Sequence, residues 1–344
     1  MIKNAIQKLV NGESLSNEEI MGAMNCIMNG EATQAQIGSF MTALRIKGET
    51  IEEITGCARV MRDKAEKITL DLDYYIDTCG TGGDGAKTFN VSTASAFVAA
   101  AGAVNVAKHG NRSVSSKSGS ADVLEALGAK IDLSPYQVKK CIEDVGIGFL
   151  FAPSFHKSMK HAAGPRRELG IRTIFNILGP LTNPAGAAGQ VLGVYDSKLT
   201  EPVANVLLNL GIERALVFNG NDGVDEITTT TSTRVSELKD GWVNNYEFNP
   251  EQYGIKKACL DDIKGGDAAV NAEIIRNIFK GAQGPERDIV VVNSAAALYV
   301  GKKVDSLEEG IEKAQQIIDS GLVLNKLQEF IEYTNALVSD AKAQ

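Results

Sequence analysis

The sequence predicts an α/β protein in which a large domain, with a central, mostly parallel sheet flanked by helices, is joined to a small all-helical N-terminal domain. The first 70 residues carry apolar side chains at helical spacing. From residue 71 onward, short apolar runs alternate with loops and helical stretches, which is typical of parallel sheets with crossover helices. We therefore place the helical domain at 1–70 and the α/β domain at 71–344.

Three capping boxes indicate where helices of the N-terminal domain begin, because each places a Ser or Thr three residues before a Glu or Gln. These pairs are Ser16 with Glu19, Thr33 with Gln36, and Thr50 with Glu53. Residues 1–11 form a short amphipathic helix that packs either within the chain or against a second copy, and both alternatives stay open. The segment around 165–190, with Gly-Pro at 179–180 and Asn-Pro at 183–184, is expected to return to the helical domain.

The α/β domain is expected to contain several short buried strands and at least two helices that follow glycine-rich loops. The helices are predicted at 92–101 and 121–127, and the strands at 74–77, 104–107, 190–195, 215–218 and 288–292.

Composition excludes some classes of function. The net charge of −8 argues against general nucleic-acid binding, which usually requires a basic surplus. We find no signal peptide and no apolar run long enough to span a membrane. The five cysteines form no CxxC pair, which favours a reducing, cytoplasmic location without structural zinc.

The first glycine-rich loop, GTGGDG at 80–85, formally matches the dinucleotide-binding pattern. A dinucleotide fold needs an acidic residue about 20 positions later, but none lies between Asp84 and Asp122. The loop also lacks the Lys-Ser/Thr ending of a P-loop. Its glycines still allow backbone N–H groups to approach an anion, and 88–93 opens a helix whose N-terminus favours phosphate. We predict a phosphate site here rather than a simple tight turn.

The second loop, at 108–120, carries three cationic side chains and five serines but no acid. Without an acid in the loop, these cations are not neutralised locally, and we expect Ser120 to cap the following helix. Because both loops follow neighbouring strands, they should open at the same end of the sheet. A substrate with phosphates at two places fits this arrangement better than a solvated loop does.

Two further features suggest a metal and a second substrate. The pair Asp225-Glu226 supplies carboxylates that Mg²⁺ binds together with phosphate oxygens, and Ser92 adds a hydroxyl. Arg166 matches a planar carboxylate, although the residues alone do not distinguish a binding site from a surface helix.

Five motifs together resemble the anthranilate phosphoribosyltransferase family, and the resemblance extends over about residues 1–335. They are DTCGTGGDG at 77–85, TFNVST at 88–93, KHGNRSVSS at 108–116, GSAD at 119–122 and RTIFNILGPLTNP at 172–184. The resemblance implies a homodimer joined through the helical part. It also implies that anthranilate attacks C1 of 5-phosphoribosyl 1-diphosphate (PRPP) and expels pyrophosphate, in tryptophan biosynthesis.

The resemblance also assigns site residues. Those implied for PRPP are Gly80, Gly83, Asp84, Thr88, Asn90, Val91, Ser92, Thr93, Lys108, Asn111, Arg112, Ser113, Ser115, Ser116 and Ser120. Those implied for anthranilate are Gly80, His109, Asn111, His156 and Arg166. The Mg²⁺ ligands would be Ser92, Asp225 and Glu226. We expect no side chain to act as an essential acid or base, with Lys108, Arg112 and Mg²⁺ stabilising the leaving group.

Two other functions fit the sequence less well. A pyrimidine nucleoside phosphorylase resembles the second loop, but it usually carries a further C-terminal domain and lacks the CGTGGD form of the first loop. A non-catalytic relative that binds nucleic acid is disfavoured by the net charge and by the Asp225-Glu226 pair.

Overall fold

The structure is a computed structural model that describes residues 1–113 and 117–343. Four helices form the N-terminal part: α1 (Ile2–Val10), α2 (Asn17–Met28), α3 (Gln34–Lys47) and α4 (Ile51–Lys64). All three predicted capping boxes are present, one at the start of each of α2, α3 and α4.

The remainder of the chain contains seven strands and eleven helices among the described residues. The strands are β1 (Ile76–Gly80), β2 (Val106–Gly110), β3 (Ile147–Phe151), β4 (Gly189–Gly193), β5 (Arg214–Gly220), β6 (Thr233–Lys239) and β7 (Trp242–Phe248). The helices are α5 (Val91–Ala101), α6 (Ser120–Leu127), α7 (Pro135–Val145), α8 (Ala152–Phe155), α9 (Lys160–Leu169), α10 (Phe175–Leu178), α11 (Thr200–Asn209), α12 (Ala268–Phe279), α13 (Pro285–Val300), α14 (Leu307–Asp319) and α15 (Leu322–Ala343).

The seven strands form one sheet in the order β3-β2-β1-β4-β5-β6-β7. Strands β1 to β5 are parallel, whereas β6 and β7 are antiparallel to their neighbours. The sheet is therefore mostly parallel, which confirms the predicted fold class. The chain progresses outward from β1 in one direction and from β4 in the other, so these two strands flank a topological switch point. Ligands of open α/β sheets bind at such points, outside the carboxyl ends of the strands.

One predicted strand is wrong, because residues 288–292 lie within the helix α13. Nearly every residue of this helix from Ile289 onward is buried, and a buried helix presents the same unbroken apolar run as a buried strand. Strands β1 and β2 also end three residues later than predicted, at Gly80 and Gly110. Lys108 and His109 consequently belong to β2 rather than to the loop. Strands β3, β6 and β7 are absent from the predicted set.

Two large apolar cores cover the two faces of the sheet. One contains α5, α12, α13 and α14. The other joins the N-terminal helices to α11 and to the opposite face of β4 and β5. Helix α9, at the start of the predicted return segment, packs against α2 and α3. This contact supports a return to the helical part, while the domain boundary at residue 70 stays a prediction.

A buried ion pair joins Glu53 to Lys47 in the N-terminal helices. The Glu53 carboxylate is fully buried; it accepts hydrogen bonds from the backbone N–H of Leu15 and of Thr50, both at 2.9 Å, and from Lys47 Nζ at 2.8 Å. Glu53→Ala leaves the Lys47 ammonium buried without its partner, so we expect the free energy of unfolding to fall by about 3 kcal/mol.

Urea denaturation of Glu53→Ala, beside Glu52→Ala as the matched control, measures this effect. Glu52 is exposed on the same helix, so its loss should change stability by no more than about 0.5 kcal/mol. Equal losses in the two variants would show that the buried pair contributes nothing specific.

Candidate active site

The carboxyl ends of four parallel strands bring the predicted site residues to one edge of the sheet. The first loop follows β1, the second follows β2, the segment 152–156 follows β3, and 221–226 follows β5. Because these strands are parallel, all four segments open at the same edge. The first and second loops are adjacent, as predicted.

The segment that carries Asp225 crosses directly over the ends of β1 and β4. Asp225 Oδ2 accepts a hydrogen bond of 2.7 Å from the backbone N–H of Gly82, and the Asp225 N–H donates to Asp84 Oδ2 at 3.4 Å. A Cβ atom at Gly80 would lie 2.6 Å from Asp225 Oδ2, and one at Gly193 would lie 1.7 Å from the Asp225 carbonyl oxygen. This close approach therefore requires glycine at both strand ends.

Glu226 reaches the start of α5, where its Oε1 accepts a 3.2 Å hydrogen bond from the backbone N–H of Ser92. Both acidic residues are buried. Burial, followed by the nearby Asp84, raises the pKa of Asp225 to about 7. Burial, followed by Asp225, raises the pKa of Glu226 well above its usual value. The carboxyl groups of Asp225 and Glu226 therefore lie close together and largely shielded from solvent. A cation bound there would stabilise their ionised forms.

The donors fit Mg²⁺ better than a metal that is held by protein ligands alone. Ser92, Asp225 and Glu226 are brought together, as expected. Within 1–113 and 117–343, however, no group of three or more His, Cys, Asp or Glu side chains forms a site that could hold a metal ion by itself. Mg²⁺ commonly takes one or two carboxylates and completes its shell with waters and substrate phosphate oxygens, which the adjacent phosphate loops would present.

Lys108 is a buried cation at the centre of the site. Its Nζ donates to the Thr78 carbonyl oxygen and, over 3.4 Å, to Ser92 Oγ. Burial lowers the pKa of Lys108, and the buried Asp77 carboxylate opposes this effect. Asp77 also accepts a 3.0 Å hydrogen bond from the backbone N–H of His109, so it holds the end of β2 in place. Asp77 is missing from the predicted site, although it opens the first motif.

Two buried histidines lie side by side next to this cation. The ring centroids of His109 and His156 are 5.1 Å apart. Burial is the main reason that the pKa is lowered to about 3 for His109 and to about 4 for His156. Both Nε2 atoms lack a hydrogen-bond partner within the described part of the chain, and the backbone at Gly179 and Thr182 partly opposes the lowering of the two pKa values. Each ring is therefore neutral at pH 7, and its Nε2 atom is available for a hydrogen bond with a ligand.

Arg166, on α9, is a half-buried cation with its guanidinium 5.2 Å from the centroid of the Phe175 ring. Burial lowers its pKa. No carboxylate forms an ion pair with Arg166 among the residues that the structure describes. A half-buried guanidinium without an ion-pair partner fits a ligand carboxylate.

The expectation that the cations of the second loop are un-neutralised is wrong for Arg112. Arg112 forms ion pairs with Asp122 at 2.9 Å and with Glu125 at 2.5 Å. Both acids lie on α6, outside the loop itself, so the composition of the loop did not reveal them. The structure does not support leaving-group stabilisation by Arg112 in this conformation.

The prediction that Ser120 caps α6 is also wrong. Gly119 occupies the capping position, and the Asp122 carboxylate accepts 2.8 Å and 3.1 Å hydrogen bonds from the N–H groups of Gly119 and Ser113. Ser120 is the first residue of the helix, and its hydroxyl donates to the Asn111 carbonyl oxygen at 3.3 Å.

Other predicted residues line the two loops in different ways. Thr88 forms a β-bridge with Lys264, the Val91 side chain belongs to the core, and the buried Thr93 hydroxyl has no hydrogen-bond partner in the described structure. The Asn111 carboxamide oxygen accepts from the backbone of Arg112 at 2.7 Å. Ser115 and Ser116 lie outside the described residues.

Arg172 is a further residue missing from the prediction. Its guanidinium donates to the Gly83 carbonyl oxygen and lies 4.4 Å from the centroid of the Tyr195 ring. Arg172 thereby connects the first loop to the predicted return segment around 165–190. The only sequence signal was its position at the start of the 172–184 motif.

Comparison with known proteins gives the same assignment over nearly the whole chain. Residues 72–324 match the glycosyl transferase family a/b domain, and residues 3–65 match its helical bundle domain. An anthranilate phosphoribosyltransferase of Acetivibrio thermocellus is 71% identical over 98% of both chains. Another, from Thermoanaerobacter sp., is 59% identical over 98% of this chain and 100% of the relative.

Solved structures of anthranilate phosphoribosyltransferases have the same fold as this chain. The anthranilate phosphoribosyltransferase of Thermus thermophilus superimposes with a TM-score of 0.92 at 42% identity, covering 96% of this chain and 99% of that one. The Saccharomyces cerevisiae enzyme, solved in complex with PRPP and Mg, gives a TM-score of 0.89 at 28% identity, covering 97% and 98%. No helix in the described ranges is long and apolar enough to cross a membrane. The chain belongs to the anthranilate phosphoribosyltransferase family.

Proposed function

We propose that this chain transfers the 5-phosphoribosyl group from PRPP to anthranilate, releasing pyrophosphate and forming N-(5-phosphoribosyl)anthranilate for tryptophan biosynthesis. The observation that carries the proposal is the contact of Asp225 and Glu226 with the first loop and the start of α5. Buried carboxylates beside the two loops could bind a divalent cation that also coordinates the diphosphate of the substrate. The yeast relative with PRPP and Mg bound supports this use.

The chain's own residues contribute mainly by stabilising the leaving group and by orienting the substrates. Loss of pyrophosphate leaves positive charge on the sugar and negative charge on the departing oxygens. Lys108 lies beside Ser92 at the helix N-terminus, where backbone N–H groups and the helix dipole also favour an anion. Mg²⁺, held by Ser92, Asp225 and Glu226, would neutralise further charge on the diphosphate.

The acceptor needs little activation, because an aromatic amine is neutral near pH 7 and exposes its lone pair without a strong base. The Nε2 atoms of His109 and His156, which have no partner among the described residues, fit as acceptors for the amine hydrogens. Arg166 is proposed to bind the carboxylate, and Asn111 and Gly80 to complete this subsite. The yeast relative solved with 4-fluoroanthranilate supports an aromatic acid as the second ligand.

We also infer a homodimer joined through the helical part, and a cytoplasmic location. Met1, Val10 and Ile46 expose large apolar side chains on the N-terminal helices, and a second copy would cover them.

Anthranilate fluorescence tests the proposed reaction. We expect the signal to fall when PRPP is added in the presence of Mg²⁺, with pyrophosphate released in equal amount. Robust phosphorolysis of thymidine without this loss would instead favour a pyrimidine nucleoside phosphorylase. Tight DNA binding at physiological salt without turnover would favour a nucleic-acid-binding relative.

Arg166→Ala should raise the KM for anthranilate by roughly 10- to 100-fold, because it removes a charged hydrogen bond to the carboxylate. The KM for PRPP should stay near the wild-type value. Arg167→Ala is the matched control, since Arg167 is the exposed neighbour on the same helix. A rise in KM of the same size for both substrates would contradict the placement of Arg166 in the acceptor subsite.

A further inference from the structure

The segment 263–271 lies against the first phosphate loop, although it comes from a distant part of the chain. The backbone N–H of Gly265 donates to the Lys87 carbonyl oxygen at 2.8 Å, and the N–H of Phe89 donates to the Ile263 carbonyl oxygen at 3.4 Å. A Cβ atom at Gly265 would lie 2.7 Å from Phe89 Cα. The backbones at Gly265 and Phe89 are therefore too close to allow a side chain at position 265, which explains the glycine there.

Asn271, near the start of α12, uses its carboxamide to join this segment to the loop. The residue is only 2% exposed. Its Oδ1 accepts from the backbone N–H of Gly266 at 2.7 Å, and its Nδ2 donates to Asn90 Oδ1 at 2.9 Å. The oxygen and the nitrogen of this buried carboxamide are therefore both hydrogen-bonded. The nitrogen donates to Asn90, which is a predicted PRPP residue.

Asn90 in turn connects the first loop to the second. Its Nδ2 donates to the Ser118 carbonyl oxygen at 3.2 Å, and its Oδ1 accepts from the Ser118 hydroxyl at 3.3 Å. A flipped Asn90 amide would face two donors towards each other at Asn271 and two oxygens towards each other at Ser118. Asn271 therefore fixes the orientation in which Asn90 links the loops.

We propose that Asn271 is a positioning residue for the diphosphate sugar. Through Asn90 it sets the spacing of the two loops and the position of the start of α5, where the Thr93 N–H donates to the Asn90 carbonyl oxygen at 3.1 Å. This inference rests on the proposed function of the site. It goes beyond that function because Asn271 lies outside the five motifs of the family resemblance and itself touches none of the predicted ligand atoms of Mg²⁺.

Two variants at this position separate its two hydrogen bonds. Asn271→Asp keeps the acceptor for Gly266 but replaces the donor to Asn90 by a second oxygen, whereas Asn271→Ala removes both bonds without adding charge. Asn277→Asp is the matched control, because Asn277 is exposed on the same helix. Calorimetric titration of PRPP with Mg²⁺ gives the Kd, and steady-state kinetics gives the KM for each substrate.

Both Asn271 variants should weaken PRPP binding roughly tenfold, the effect of losing about one buried hydrogen bond. The KM for anthranilate should change by less than about twofold, since His109, His156 and Arg166 of its subsite form no hydrogen bond with Asn90 or Asn271 among the described residues, whose bonds run to Ser118 and Gly266. Measurements below the thermal midpoint of each variant separate binding from unfolding.

A wild-type Kd in Asn271→Asp would show that the residue only holds Gly266, and would overturn the inference. Equal losses for both substrates would overturn it as well, because a general loosening of the fold affects both. Failure of the unmodified protein to bind PRPP would instead overturn the proposed function of the site.

Discussion

Replacing Asp225 and Glu226 together by Asn and Gln is expected to lower kcat/KM by roughly a thousandfold and to remove the stimulation by Mg²⁺. The two carboxylates are buried and crowded against Asp84, so the amides keep their size while removing the charge that holds the metal. Initial rates of anthranilate fluorescence loss, measured over a range of Mg²⁺ concentrations, report both effects.

Two controls accompany this double variant. Asp240→Asn removes an exposed carboxylate at the turn between β6 and β7 and should leave the rate unchanged. His109→Ala should lower turnover much less than the acidic double variant does, because the His109 ring is neutral and is not needed as an acid or base. A His109→Ala variant that loses as much turnover would contradict catalysis by positioning and leaving-group stabilisation.

Lys108→Met is expected to lower kcat/KM by roughly a hundredfold, since it removes the buried cation beside Ser92. It should also lower the free energy of unfolding by about 2 kcal/mol, because the Thr78 carbonyl oxygen loses a charged donor and the buried Asp77 loses a nearby positive charge that lowers its pKa. Rates and urea denaturation are measured on the same preparations. Lys280→Met, at an exposed position beyond α12, is the matched control.

The double variant Lys108→Met with Asp77→Asn separates stability from catalysis. Removing both charges should restore part of the lost stability but none of the lost turnover, because Asp77→Asn leaves no buried charge at this position while the bond to the Thr78 carbonyl oxygen stays broken. If turnover returns together with stability, Lys108 acts only through the fold, and its assigned role at the leaving group is wrong.

Local patterns in the sequence were sufficient for much of the fold. The capping boxes of α2, α3 and α4 follow from residues three positions apart, and the helices after the two loops follow from periodicity. The segment 288–292 failed because burial on all sides removes the periodicity that distinguishes a helix from a strand. The antiparallel strands β6 and β7 are partly exposed and lacked a continuous apolar run.

The candidate site also contains residues that local sequence patterns identify and residues that they do not. The positions of Asp225, Glu226 and Ser92 were predictable, because all three follow strands that end at one edge of the sheet. Their role as metal ligands stays a prediction. Asp77, Arg172 and Asn271 were not predictable, since each acts through a partner distant in sequence, as in the bond from Asn271 to Asn90. The misassignment of Arg112 has the same origin, because its partners lie on the next helix. Sequence motifs do not show which side chains from distant parts of the chain form hydrogen bonds or ion pairs with each other.

Titration of PRPP into the protein, with and without Mg²⁺ and in the absence of anthranilate, tests the central claim most directly. We expect PRPP to bind at least about tenfold more tightly with Mg²⁺ than without it, because the buried carboxylates and the diphosphate repel each other until a cation joins them. The Asp225→Asn, Glu226→Gln double variant should lose this difference. Equal affinity of the unmodified protein with and without Mg²⁺ would contradict the account.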